Sequence, residues 1–177
     1  MRRLSPAHSS RAPIARSSSL RASIGARRRD NRRVFAPSPA DVRRFFVDAR
    51  RKRDEQLPLT PLETIAADWI DAHPEYRADL ADADAAAAKT YSGDDGRENP
   101  FLHLSMHLSI TEQVSIDQPR GIRAAVETLA TRLGSLHDAQ HAAMECLGRM
   151  LWEAQRSSAP PDGDAYVECV RRRATAR

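Results

Sequence analysis

At 177 residues and a formal charge of +4, the chain is long enough for one hydrophobic core. No run of it approaches the ~18 apolar residues that cross a bilayer, and its start lacks the apolar stretch of a secretory signal, which argues against a membrane protein. Cys146 and Cys169 are too few and too far apart for a disulfide framework, a paired-cysteine zinc site or a redox motif, and read as core or half-buried thiols in a reducing compartment, so the body is expected in the cytoplasm.

The charge is unevenly distributed. Residues 1–34 hold ten arginines against the single acid Asp30, a charge of +9, which leaves −5 for the remainder. Basic-protein arguments therefore apply to this Arg/Ser-rich leader alone, which is expected to be disordered. Three readings of it stay open: an over-long translational start or foreign upstream sequence, an arm for nucleic acid or an acidic partner, and an organellar targeting peptide. Scattered hydrophobes and a central Pro13 argue against a sustained amphipathic helix in it.

From Ser38 onward the chain is punctuated as helices, with a polar cap followed by proline at the first helical position in several places. Ser38-Pro39 opens a helix to about residue 54, with Val42, Phe45, Phe46 and Ala49 as its apolar side. Thr60-Pro61 opens a second, in which Glu63 completes a capping box and which His73-Pro74 stops. A third, rich in Ala and Asp, is expected over 75–89, followed by a solvated loop at 92–96. Asn99-Pro100 starts the most apolar helix, 101–116. Another runs over 120–133 and is closed by Gly134. Ser135 caps the longest, to about residue 156, and Asp162 caps a last one that ends in Arg171, Arg172 and Arg173, where the helix dipole favours cations. No useful β-type alternation occurs, so the fold class is all-α: a compact bundle of six to seven helices over 35–177 behind a disordered N-terminal tail. Trp69 and Trp152 are expected as core anchors, and Leu102, Met106 and Ile110 as a core stripe.

Four of the six histidines fall in two equal spacings, His103-x3-His107 and His137-x3-His141, on the two helices that are most clearly core elements. Histidines four apart sit one above the other on a helix face, which is how a helix presents two imidazoles to one metal. The first stripe continues through Ile110 and Val114, so these rings project from an apolar face. The second continues through Met144, Glu145 and Gly148, and Glu145 is a candidate carboxylate ligand or partner of a ligand. Glu112 lies on the far side of its helix from His103 and is left out.

An antiparallel pair of these helices would assemble three or four nitrogens and one carboxylate oxygen, a donor set that suits a zinc, iron or nickel ion. Four closed ligands would make a structural site, and three with an open position would activate water, so a hydrolytic or other metal-dependent enzyme is one reading. The competing one is a non-enzymatic interaction module whose histidines hold ordinary core hydrogen bonds and whose acidic surface docks an unknown protein. A third, nucleic-acid association through the tail, rests on the leader alone.

The run Asn99-Pro-Phe-Leu-His-Leu-Ser-Met-His-Leu-Ser-Ile, through Glu112-Gln and Ser115-Ile-Asp-Gln-Pro to Gly121-Ile-Arg, resembles an uncharacterised bacterial family, domain of unknown function 1841. So do His137-Asp-Ala-Gln-His, Met144-Glu-Cys-Leu-Gly, Leu151-Trp-Glu-Ala-Gln-Arg and Pro161-Asp-Gly-Asp-Ala-Tyr. The resemblance covers about 35–173. It implies a small helical cytoplasmic protein without an assigned activity, transfers no catalytic residue, and places the start of a typical member near Phe35, which favours the over-long start for the leader.

Overall fold

The computed structural model of the protein describes residues 37–89, 91 and 98–176. The expected disordered leader, 1–34, and the expected loop at 92–96 lie outside the described residues. Every described element belongs to the unit Ala36–Arg177. Among the described residues there are seven α-helices, one short 3-10 helix and no strand: α1 (Pro39–Asp54), α2 (Pro61–Asp71), a 3-10 turn (Pro74–Tyr76), α3 (Ala83–Ala88), α4 (Pro100–Ile116), α5 (Ile122–Leu133), α6 (Leu136–Ser157) and α7 (Gly163–Thr175). None of these helices is long and apolar enough to cross a membrane.

Local chemistry accounts for the boundaries. Ser38 with Asp41, and Thr60 with Glu63, form reciprocal capping boxes ahead of Pro39 and Pro61. The side chains of Asn99, Ser135 and Asp162 accept from the first free N–H groups of α4, α6 and α7. Lys52 pairs with Glu63 and ties α1 to α2, and this bond, together with the Thr60 cap, holds the Glu63 carboxyl down to about 2. Gly121 (φ 91°) and Gly134 (φ 69°) bracket α5 in the left-handed region that glycine alone enters without strain. The helix expected over 75–89 is divided: Pro74–Tyr76 makes one 3-10 turn, and Asp82 then caps a separate α3 by accepting from Asp84 and Ala85. Aspartate offers the backbone this local bond, so a run rich in it breaks where an alanine run would continue.

Two hydrophobic clusters carry the unit. One gathers Phe46, Val47, Ile70, Leu80, Phe101 and Leu104 beneath α1, α2, α3 and the start of α4. The other gathers Ile110, Ile122, Leu129, Leu147, Tyr166 and Val170 among the end of α4 and α5 to α7. The helix α4 runs through both: His103 and His107 flank Leu104 of the first cluster and come before Ile110 of the second, where one cluster gives way to the other.

Three sequence expectations change here. Trp152 is 56% exposed, with the Arg156 guanidinium 4.6 Å over its ring, and is no core anchor. Leu102 is exposed while Ile110 on the same stripe is fully buried, because only the histidine side of α4 faces the bundle. Cys146 and Cys169 are joined in a disulfide: α7 folds back on α6 and brings their Cα atoms to 5.9 Å despite 23 residues of separation. Chain distance was the wrong measure, since a helical hairpin erases it.

Candidate metal centre

Three elements deliver imidazoles to one point. His73 follows the last turn of α2 and precedes Pro74; proline excludes the helical conformation from the residue before it, and at φ −123°, ψ 67° His73 leaves the helix and buries its ring. His103 and His107 stand one turn apart on the buried face of α4, and His137 and His141 one turn apart at the start of α6. These five are every histidine from residue 37 onward.

Their Nε2 atoms face one another. His103 Nε2 lies 3.1 Å from His73 Nε2, 3.0 Å from His141 Nε2 and 3.1 Å from His107 Nε2. His73 and His141 are 3.4 Å apart. The ligand atoms of His73, His103, His107 and His141 all lie within 4.8 Å of one another, and this group could hold a metal ion. His137, with 39% of its side chain exposed, sits at the solvent edge with Nε2 3.2 Å from His73 Nε2. Nitrogens bound at about 2.1 Å to one ion are about 3.0 Å apart at right angles and about 3.4 Å at tetrahedral angles, so the four pairs at 3.0 to 3.4 Å have a spacing that a shared cation would accept.

The other ring nitrogens fix the tautomers. His73 Nδ1 is 2.7 Å from the Trp69 carbonyl, which can only accept, so that nitrogen carries the proton. His103 Nδ1 donates likewise to the Glu98 carboxylate at 2.6 Å, whose second oxygen accepts from Tyr76 Oη. The His107 ring is oriented through three side chains. Thr111 gives its hydroxyl proton to the His107 carbonyl and accepts from Trp69 Nε1, a group that can only donate. It accepts again from Gln140 Nε2, which turns Gln140 Oε1 toward His107 Nδ1 at 2.9 Å. In the neutral rings, the Nε2 atoms of His73, His103 and His107 are therefore bare lone pairs aimed at a common centre.

Electrostatics favours the same protonation state. Burial pushes His107 down to about 3, and neighbouring imidazoles oppose its charging further. Burial also lowers His73 and His141. Partial burial pushes the Glu98 carboxyl up, but its hydrogen bonds from His103 and Tyr76 outweigh that and hold it below the usual carboxylate range. Trp69 covers His107 at 4.0 Å between ring centroids, and Tyr76 stacks on His73 at 5.4 Å. The result is a set of imidazole nitrogens, three of them kept from charging by burial, with aromatic walls and one anion behind them.

Of the residues singled out from the sequence, His103, His107 and His141 converge, and His137 joins at the rim. Glu145 does not: it is exposed and paired with Arg173 of α7, while Met144 takes the buried side of α6. A 100° step from His141 passes between positions 144 and 145, and packing selects the apolar one. In the sequence, His73 signals only the stop of a helix before Pro74. Glu98, Thr111 and Gln140, which orient the imidazoles from behind, carry no spacing signal.

The profile of a family described as a domain of unknown function, DUF1841, matches residues 38–172, and the chain belongs to that family. No curated protein and no solved structure matches the chain.

Proposed function

As a member of a family without an assigned activity, the chain takes none from its relatives, and we propose from its own residues that it binds one divalent transition-metal ion. His73, His103, His107 and His141 are the ligands in this reading, and His137 is the donor on the solvent side. Neutral imidazoles, with neither thiolate nor carboxylate among them, suit borderline ions of the zinc, iron(II) and nickel class. Glu98 and Gln140 orient two of the rings and raise their basicity through the Nδ1 protons.

One observation carries the proposal: the Nε2 atoms of His73, His103 and His107, whose Nδ1 atoms are engaged elsewhere, lie 3.1 Å apart in the order His73–His103–His107, and His141 of a third element brings its Nε2 to 3.0 and 3.4 Å from two of them. Unprotonated lone pairs at that distance repel, and a proton shared between them is disfavoured by the burial that lowers His73, His107 and His141. A cation at the centre turns the repulsion into bonding. An interaction module with core histidines would instead direct each ring at a separate partner, whereas here Nδ1 alone does so for His73, His103 and His107.

Elemental analysis of the full chain, produced with zinc, iron and nickel in supply, tests this. We expect about one ion per chain, lost on His103→Ala substitution with the helical spectrum retained. Roughly 0.1 ion per chain or less, together with no thermal shift on adding any of the three metals, overturns it.

A further inference from the structure

We propose that the Cys146–Cys169 pair is a reversible dithiol–disulfide site that exchanges with a small zwitterionic peptide thiol in the cleft between α6 and α7. The cleft has a volume of about 400 Å³, within the range of small-molecule sites, and both cysteines line it. Each cysteine is followed one helical turn later by an exposed arginine that lines the same cleft, Arg149 after Cys146 and Arg172 after Cys169. Away from the sulfurs, toward the turn between the helices, the lining becomes acidic, with Glu153 and Asp162. A cleft that is cationic beside the sulfurs and anionic at its far end complements a thiol that carries both carboxylates and an ammonium group.

The exchange balances without a further reactant. Cys169 is the more accessible of the pair at 9% exposure against 2% for Cys146. An incoming thiolate attacks Cys169 Sγ, the Sγ–Sγ bond breaks, and its electron pair leaves on Cys146, which then takes a proton. A second thiolate attacks the external sulfur of the mixed disulfide and releases Cys169 as a thiolate. Two external thiols are oxidised to one external disulfide while the protein disulfide gains two electrons and two protons. Reduction leaves α6 and α7 joined by packing, their connecting turn and the Glu145–Arg173 ion pair. A disulfide that persists in an oxidising compartment opens under a cytosolic thiol pool if thiols can reach it, and the cleft supplies the access.

The test is thiol trapping on the full-length folded protein. It is equilibrated in glutathione buffers of graded poise, quenched with an alkylating reagent and weighed intact. The expected result is a single two-electron transition at unchanged helical content, with both cysteines alkylated together. In Cys146→Ser, one glutathione should be retained on Cys169. Reduction by glutathione should outpace that by neutral 2-mercaptoethanol at equal thiolate concentration by roughly fivefold for each guanidinium engaged. The double variant Arg149→Ala/Arg172→Ala should erase that preference while reacting normally with the neutral thiol. Reduction that occurs only after denaturation overturns the proposal. So does an arginine variant that slows both thiols alike.

Discussion

Trp69 lies flat against His107, their ring centroids 4.0 Å apart and the planes 16° from parallel. A change of charge at His107 therefore acts directly on the indole. In a Trp152→Phe background, which removes the only other tryptophan, Trp69 emission should change saturably with added zinc or nickel and break at about one equivalent. An emission that drifts without a break, under conditions where metal is bound, places the ion elsewhere.

Gln140 is fully buried and reaches His107 only through a proton whose direction Thr111 and Trp69 dictate. Gln140→Leu removes the acceptor and frees the His107 ring to turn and change tautomer. Metal affinity should fall about 10- to 100-fold, read by competition against a chromophoric chelator. Thr111→Val should produce a smaller loss in the same direction, because it withdraws the group that orients the glutamine. Equal affinity in all three proteins would mean that the network is packing alone.

What the sequence disclosed follows from how local each signal is. The caps at Ser38, Thr60, Asn99, Ser135 and Asp162 and the break at Gly134 act within a few residues, so the helix order was legible, and two His-x3-His spacings placed four rings on two faces. His73 was hidden because its role comes from Pro74, which ends α2 and turns the ring inward, and that reads as punctuation until a partner element is known. Glu145 misled because helix periodicity alone does not choose between positions 144 and 145; the choice came from α7, whose Arg173 holds Glu145 at the surface. The cysteine pair was lost for a related reason, since only the docking of α7 on α6 makes Cys146 and Cys169 neighbours.

The histidines stand where the two hydrophobic clusters meet, and through His73 with His137 and His141 they link the end of α2 to α6. An ion bound there joins the two clusters. At free metal about 100 times its dissociation constant, binding should add about 2.7 kcal/mol, a rise in melting temperature of roughly 10 °C. On chelation, amide exchange should quicken first over 39–88, which includes the six-residue α3 and the 3-10 turn, while 122–175 keeps its protection. Uniform loss of protection across both segments would show that the seam is held without the ion.

Acid should weaken the metal-free protein within a definite window. Folding holds His107 down to about 3 and lowers His73 and His141, all through burial, while in the unfolded chain these rings titrate near 6.5. Between about 6.5 and 3 the unfolded chain takes up protons that the folded one refuses, so stability present above 6.5 declines as pH falls. A bound ion shares the direction, because the same nitrogens must stay unprotonated to hold it. Urea midpoints measured at stepped pH should therefore drop progressively below pH 6.5 with and without metal, and the metal-dependent increment should shrink over the same range. His107→Gln removes the most strongly displaced group and should flatten the metal-free curve. A midpoint that stays level from pH 7 to pH 4 would mean that the rings are not buried neutral, and the centre would lack the unprotonated nitrogens that a cation needs.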